Sequence, residues 1–331
     1  MRILDLSRLL PGPFATLCLQ GLGAEVVKVE DPNGGDYLRH FPPTLHGTGA
    51  WFAALNRGKR SVAIDLKSGE GNAKVRALLG GSDVLVESFR PGVMTRLGLD
   101  PDELCREFPG LVVASLTGWG QTGPLASLPG HDIGFLSLAG MLGNDPRVPR
   151  MQWGDLAAGG LVAALRILAA HHAGKGGWLD IAMLDGLVGL QQTQFAQLVG
   201  GAPPDEMLTG GFPVYGVYRC ADGGWISLGA LEPQFIAVLT AAGAETSREG
   251  LTTFFAARNR DEWIERLPGA CVVPILSLDE VAAHPHVAGR DLFDAAGLPY
   301  PPTGPVRGDV PTLGQHTADE LARVGYVGAV G

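Results

Sequence analysis

The chain has 331 residues, 46% of them hydrophobic and 18% charged, which supplies a real core and excludes a disordered polymer. A formal net charge of −9 with no basic stripe to offset it excludes a general nucleic-acid binder. The longest apolar runs, such as Leu161-Val162-Ala163-Ala164-Leu165, are broken by Arg or Gly and are expected to stop short of a membrane span, and the opening Arg2-Ile3-Leu4-Asp5-Leu6 has no signal-peptide pattern.

The first 120 residues or so alternate strand and helix signals, as in an α/β fold with a parallel sheet. Strands are expected at 2–6, 24–30, 61–66, 83–87 and 111–116, and helices at 11–22, 69–79 and 100–108, the first with proline in its opening turn. The turn Leu9-Leu10-Pro11-Gly12-Pro13 is not the G-x-G-x-x-G of a dinucleotide site, so Glu30 reads as a strand-end charge rather than a ribose ligand. A helix at 155–173 follows, with Asp155 placed to cap it, then a strand at 178–183 and a long helix at 184–198. Beyond a Gly/Pro-rich run at 200–213 the pattern changes to a hairpin, 214–219 and 225–228 around Asp222-Gly223-Gly224, with short helices at 233–242 and 260–267. A second Pro/Gly-rich run at 297–311 precedes a last helix at 317–324, opened by a capping box of Thr317 and Glu320. The expected organisation is a large domain of 1–186 and 306–331, linkers at 187–212 and 293–305, and a small α+β domain at 213–292. The widely spaced Cys18, Cys105, Cys220 and Cys271 form no C-x-x-C pair and are expected as buried thiols of a cytosolic protein.

Two segments carry candidate chemistry. Pro129-Gly130-His131-Asp132-Ile133 offers an imidazole, and Gly154-Asp155-Leu156-Ala157-Ala158-Gly159-Gly160 offers a carboxylate. Two titrating groups on opposite sides of a carbon can remove a proton from one face and return it on the other. A surface histidine and a helix-capping aspartate fit the same letters. The basic clusters Asn56-Arg57-Gly58-Lys59-Arg60 and Phe89-Arg90-Pro91-Gly92 read either as solvated faces or as an anion site for a phosphorylated small molecule. His171 with His172, and His284 with His286, are spaced like metal ligands, but no metal site is expected.

Further stretches point to a family. Asp5-Leu6-Ser7-Arg8-Leu9-Leu10-Pro11-Gly12-Pro13, Leu22-Gly23-Ala24-Glu25-Val26-Val27-Lys28-Val29-Glu30, Gly35-Asp36-Tyr37-Leu38-Arg39, Leu116-Thr117-Gly118-Trp119-Gly120-Gln121-Thr122-Gly123-Pro124 and Leu313-Gly314-Gln315-His316-Thr317 occur in one order. Together with the basic clusters and the His131 and Asp155 segments, they resemble the class III CoA-transferase (CaiB/BaiF) superfamily almost end to end. Within it they are most similar to the α-methylacyl-CoA racemases. The resemblance implies a Rossmann-like large domain, a smaller α+β domain and an interlocked homodimer. It implies an acyl-CoA thioester substrate with CoA as part of that substrate, no separate cofactor, no nucleic-acid or membrane partner, a place in lipid metabolism and a cytoplasmic location.

Transferases of the superfamily use the aspartate matching Asp155 as a nucleophile that ends as an aspartyl-CoA thioester. Racemases keep that aspartate and add the histidine matching His131; a glutamate matching Glu232, in Gly229-Ala230-Leu231-Glu232-Pro233, orients it, here across the dimer interface. By the resemblance, Arg39, Lys59, Arg60 and Arg90 are phosphate partners, and Ile64, Asp65, Leu66 and Lys67 line the CoA path. Gly130, Asp132, Ile133, Gly134 and Phe135 would lie against the substrate. The expected reaction is racemisation of 2-methylacyl-CoA thioesters through an enolate, with N–H groups at the start of the Asp155 helix facing its oxygen. CoA transfer through Asp155 and non-catalytic acyl-CoA binding are the alternatives. Two departures from the racemase pattern stand beside the site: Gly134 where asparagine is usual, and a short loop between Gly140 and Asp155.

Overall fold

A computed structural model describes residues 1–45, 47–143, 146–201 and 207–326. Asn144 and Asp145 of the short loop, and residues 202–206 of the 200–213 run, lie outside the described residues. The chain divides into two compact units, Met1–Leu190 with Asp294–Gly331, and Gln191–Phe293.

The first unit is built on six strands: β1 (Arg2–Asp5), β2 (Glu25–Glu30), β3 (Arg60–Ala63), β4 (Val84–Glu87), β5 (Val112–Thr117) and β6 (Gly177–Ala182). All pair in parallel, in the order β3-β2-β1-β4-β5-β6, the doubly wound Rossmann order. Every residue of β4 and β5 is buried, as near-continuous Val/Leu runs require when helices cover both faces. Alternation of side chains sorts the core into two layers. Ile3, Val26, Val84 and Val112 meet Ala15 and Leu19 of α1 (Pro11–Gly21) and Ala163 and Ile167 of a long helix described below. Leu4, Val27, Leu85 and Val113 meet Val75 and Leu78 of α2 (Gly69–Leu79) and Leu104 of α3 (Pro101–Glu107). Successive connections leave β1 in opposite directions, so a crevice opens beyond the carboxyl ends of β1 and β4.

Under that crevice lies a fully buried set of charges. Lys59 Nζ sits 3.3 Å from Asp5 Oδ2, and also donates to Thr16 Oγ1, Asn56 Oδ1 and the Pro13 carbonyl. Lys28 Nζ sits 3.1 Å from Asp36 and donates to the Ser7 carbonyl. Glu30 accepts two hydrogen bonds of 2.7 Å from Arg39, whose guanidinium lies over the Phe52 ring. Burial alone would raise the Asp5 carboxyl, but Lys59 and Lys28 hold it below the ordinary carboxylate range.

Three more elements complete the part of the first unit that concerns the site: α4 (Asp132–Leu138), α5 (Trp153–His172) and α6 (Met183–Leu190). The α5 helix runs unbroken for 20 residues with a mean hydropathy of 1.4 over its most apolar window. By length and composition it is able to cross a membrane, contrary to the expectation from its Arg and Gly interruptions; in the fold Ala158, Ala163 and Ile167 are buried in the core. The single helix expected at 184–198 is two, because Gln191 (φ −96°, ψ 32°) leaves the helical region, and the division between the units falls there.

The second unit contains α7 (Gln192–Val199) and an antiparallel sheet of β7 (Tyr215–Arg219), β8 (Trp225–Gly229) and β9 (Val272–Ile275), in the order β9-β8-β7. Helices α8 (Pro233–Ala241), α9 (Arg248–Phe255) and α10 (Arg260–Arg266) bury Leu239, Leu251, Phe255 and Trp263 against Tyr218, Ile226 and Leu228. Cys271, expected to be buried, is exposed at a positive φ of 53°. His284 Nδ1 accepts the His286 N–H, a helix cap made by one of the paired histidines.

The chain returns to the first unit at Asp294 and there forms α11 (Thr317–Arg323). The expected capping box is absent: Thr317 Oγ1 donates to the Gly314 carbonyl and accepts the Ala63 N–H, while the buried Glu320 carboxylate pairs with Arg2 and Arg60. Two guanidinium partners outcompete a backbone N–H for that carboxylate.

Replacing Lys59 by Met leaves Asp5 and Asn56 buried without their shared donor. The expected loss is roughly 3–5 kcal/mol of unfolding free energy, read from urea titrations; an unchanged midpoint would show that Lys59 does not neutralise Asp5.

Candidate active site

The site grows from the turns that follow β5 and precede α4 and α5. Gly118 follows β5 and Gly130 precedes α4; a Cβ on either would stand 2.2 Å and 2.5 Å, respectively, from the Phe135 ring. The two missing side chains therefore admit that ring, which meets Trp119 edge-on at 4.7 Å. His131 is the residue just before α4, in extended backbone, and its ring is exposed. The short α4 was not anticipated from the sequence.

The first nine residues of α5, Trp153–Leu161, wind more widely than an α-helix, with i to i+5 hydrogen bonding. Glycines let this wide segment pack. Side chains at Gly159 and Gly160 would strike Pro11 and Phe14 of α1, and one at Gly154 would stand 2.8 Å from Asp132 Oδ1. Through the space at Gly154 the Asp132 carboxylate reaches the helix start and accepts the Asp155 N–H at 3.0 Å. Asp155 is thus in the first turn rather than at the cap, and Asp132 does the capping. The Leu156 N–H is donated to the Gln152 carbonyl. The expectation that the start of this helix presents its N–H groups to an enolate fails at both residues.

Burial, with the like charge of Asp132 behind it, pushes the Asp155 carboxyl up to about 7. Asp155 and His131 line one cavity of about 470 Å³, together with Arg8, Phe89, Trp119 and Phe135. Gly130 lines it too, whereas Asp132, Ile133 and Gly134 do not; Ile133 points to solvent, and a Cβ on Gly134 would lie 3.9 Å from the Trp119 ring. A second cavity of about 310 Å³ is lined by Ile64, Asp65, Leu66 and Lys67, with Glu30 and Asp31. Both cavities lie at the carboxyl ends of the strands, and Arg8, Tyr37, Phe89 and Val93 line both. Glu232 belongs to the second unit, exposed ahead of Pro233.

Of the four cations expected at phosphates, three are committed elsewhere. Lys59 is fully buried against Asp5, and burial pulls its ammonium down to about 8. Arg39 is spent on Glu30 and the Pro311 carbonyl. Arg60 opens β3, lines neither cavity, and pairs with Glu320 and Asp319. Arg90 is exposed on the first cavity, with no carboxylate partner among the described residues.

The chain that carries this cavity at the switch point of a doubly wound sheet is similar along most of its length to known proteins. The family model of CoA-transferase family III matches residues 1–317. The chain belongs to CoA-transferase family III. Among relatives of this family, α-methylacyl-CoA racemase of Homo sapiens is 36% identical over 98% of this chain and 92% of its own length. Succinyl-CoA:glutarate CoA-transferase of Mus musculus is 32% identical over 91% of this chain and 71% of its own. The crystal structure of a CaiB/BaiF family protein from Brucella suis superposes with a TM-score of 0.85 at 27% identity, covering 98% of each chain. Family III thus includes both racemases and transferases among the relatives of this chain, at similar identities.

Asp132→Asn keeps an oxygen for the Asp155 N–H and removes the neighbouring charge. The Asp155 titration, followed by carboxyl NMR, is expected to move from about 7 toward lower pH and to stop above the ordinary aspartate value, since burial is the larger cause. No movement would show that the two carboxyls are uncoupled.

Proposed function

We propose that the enzyme interconverts the configurations of 2-methylacyl-CoA thioesters by 1,1-proton transfer, with His131 and Asp155 as the acid/base pair. The observation that carries the reading is an Asp155 carboxyl held up to about 7 in the same cavity as an imidazole. A carboxyl near that value is half protonated at neutral pH, so it serves as acid or base with similar ease. A carboxylate kept as a nucleophile is better served by staying ionised.

In one direction the His131 ring takes the α-proton, the C–H pair becomes the enolate π bond, and neutral Asp155 returns a proton to the opposite face. His131 ends protonated and Asp155 ionised; exchange with solvent resets both. In the other direction the roles reverse. These steps need no metal or redox cofactor. The exposed His131 ring has no hydrogen-bond partner among the described residues of the single chain. We further propose an interlocked homodimer in which Glu232 of the partner subunit orients that ring; light scattering and the response of activity to Glu232→Gln check this.

The second reading, CoA transfer through Asp155, is favoured by the transferase relatives, which are only a few per cent less identical than the racemases. Incubation with a 2-methylacyl-CoA in D₂O separates the two. Deuterium is expected at the α-carbon without any carboxylic acid acceptor, and His131→Ala should lower its entry by roughly two to four orders of magnitude. CoA exchange that needs an acceptor, with hydroxylamine trapping an Asp155 acyl or thioester adduct, would overturn the racemase reading.

kcat/KM should follow one bell-shaped pH profile with either configuration, because each direction needs the pair to carry a single proton, on Asp155 for one configuration and on His131 for the other. The profile should fall on both sides of the region near 7 where the Asp155 carboxyl is held. Activity that stays flat across that region would remove Asp155 from the pair.

A further inference from the structure

Arg8 lines both cavities. Its guanidinium lies 5.1 Å from the centre of the Tyr37 ring and 5.3 Å from that of Phe89, and it donates to Tyr37 Oη at 3.2 Å. It is half-buried, yet no carboxylate among the described residues pairs with it. That is unusual for its surroundings: Lys28 is matched by Asp36, Arg39 by Glu30 and Lys59 by Asp5. A held, uncompensated guanidinium between two cavities is a prepared anion site.

The backbone around Arg8 is fixed as well. Its N–H donates to Ser88 Oγ at 3.0 Å, and the next residue, Leu9, is held at a φ of 64° by hydrogen bonds from its N–H to the buried Asp36 carboxylate. Leucine adopts that region only under constraint. On the far side, Glu87 accepts the Phe89 N–H at 2.7 Å and so fixes the second ring.

A doubly wound sheet ordinarily holds a diphosphate on the N–H groups that open the helix after β1. Here that route is largely closed. Pro11 and Pro13 at the start of α1 have no N–H, and the Phe14 N–H is donated to the Leu10 carbonyl. Asp31 and Asp65 give the second cavity carboxylates that disfavour phosphate within it. Arg90 reaches the first cavity and Lys67 the second, but of the cationic side chains lining either cavity, only Arg8 lines both.

We infer that Arg8, clamped between Tyr37 and Phe89, is the anchor for the diphosphate that joins the adenosine and pantetheine halves of the substrate's CoA, in place of a glycine-rich loop. This rests on the acyl-CoA reading above. The adenine ring then occupies the cavity of Ile64 and Lys67, with the terminal phosphate outside it, and the thioester end the cavity of His131 and Asp155.

The test is calorimetric binding of CoA and of 3′-dephospho-CoA, which share the diphosphate and differ in the terminal phosphate. Arg8→Met keeps an apolar chain between the two rings and removes the charge. It should weaken both ligands by the same factor, roughly 10- to 100-fold, and Arg8→Lys, which keeps charge without the fork, should fall between. Weakening of CoA alone would assign Arg8 to the terminal phosphate and overturn the inference, as would unchanged affinity for both. Should Arg8→Met fail to fold, judged by circular dichroism, the comparison rests on Arg8→Lys, and equal binding by that variant and wild type, with no fall in the dependence on salt, counts against a forked contact. Absence of CoA binding by the wild-type protein would instead overturn the acyl-CoA reading itself, and this inference with it.

Discussion

One aspartate placed between two ammonium groups, all three buried, organises the first unit. Asp5 ends β1, Lys28 comes from β2, and Lys59 from the turn before β3, so the three adjacent strands are tied at the edge where the crevice opens. The tie continues outward: Lys28 holds Asp36, Asp36 holds the Leu9 backbone, and Leu9 is preceded by Arg8 on the cavity wall. Buried pairs of this kind contribute little net stability compared with apolar packing. What they supply here is geometry, since each partner fixes the position of the next.

The site itself is built largely by subtraction. Phe135 occupies room left by Gly118 and Gly130, and the Asp132 carboxylate enters through room left by Gly154. That entry has two effects at once: it satisfies a helix-end N–H and sets a negative charge beside Asp155. A single side chain thereby both positions Asp155 and adds to the burial that raises its carboxyl. The same capping bond withdraws the N–H that an enolate oxygen would otherwise find there.

The strands were legible because β-branched runs such as Val26-Val27 and Val112-Val113 are buried on both faces and advertise it. His131 and Asp155 were legible only as members of a family pattern, since nothing local distinguishes them from a surface histidine and a cap. Which basic side chains are taken up by carboxylates was not legible. Gly58-Lys59-Arg60 reads the same whether its lysine is solvated or sealed against Asp5, 54 positions away in the chain. Arg8 was missed for the converse reason: its meaning comes from Tyr37 and Phe89, which only the fold brings to it. The capping box at Thr317 failed because local chemistry cannot see Arg2 and Arg60. Strand β9, interrupted by Pro274 and only four residues long, offers too little pattern to declare itself.

The wide winding of Trp153–Leu161 has a consequence for how this helix tolerates change in length. Residues on a π-turn advance about 80–85° each instead of the 100° of an α-helix, so Asp155, near the start, and Ile167, in the core, are in phase only because of the slower rotation between them. Deleting one residue there would let the segment relax to ordinary winding and still keep both ends facing inward, whereas inserting one would turn Ile167 away from the sheet. The segment is therefore a vernier between chemistry and core, with slack in one direction only.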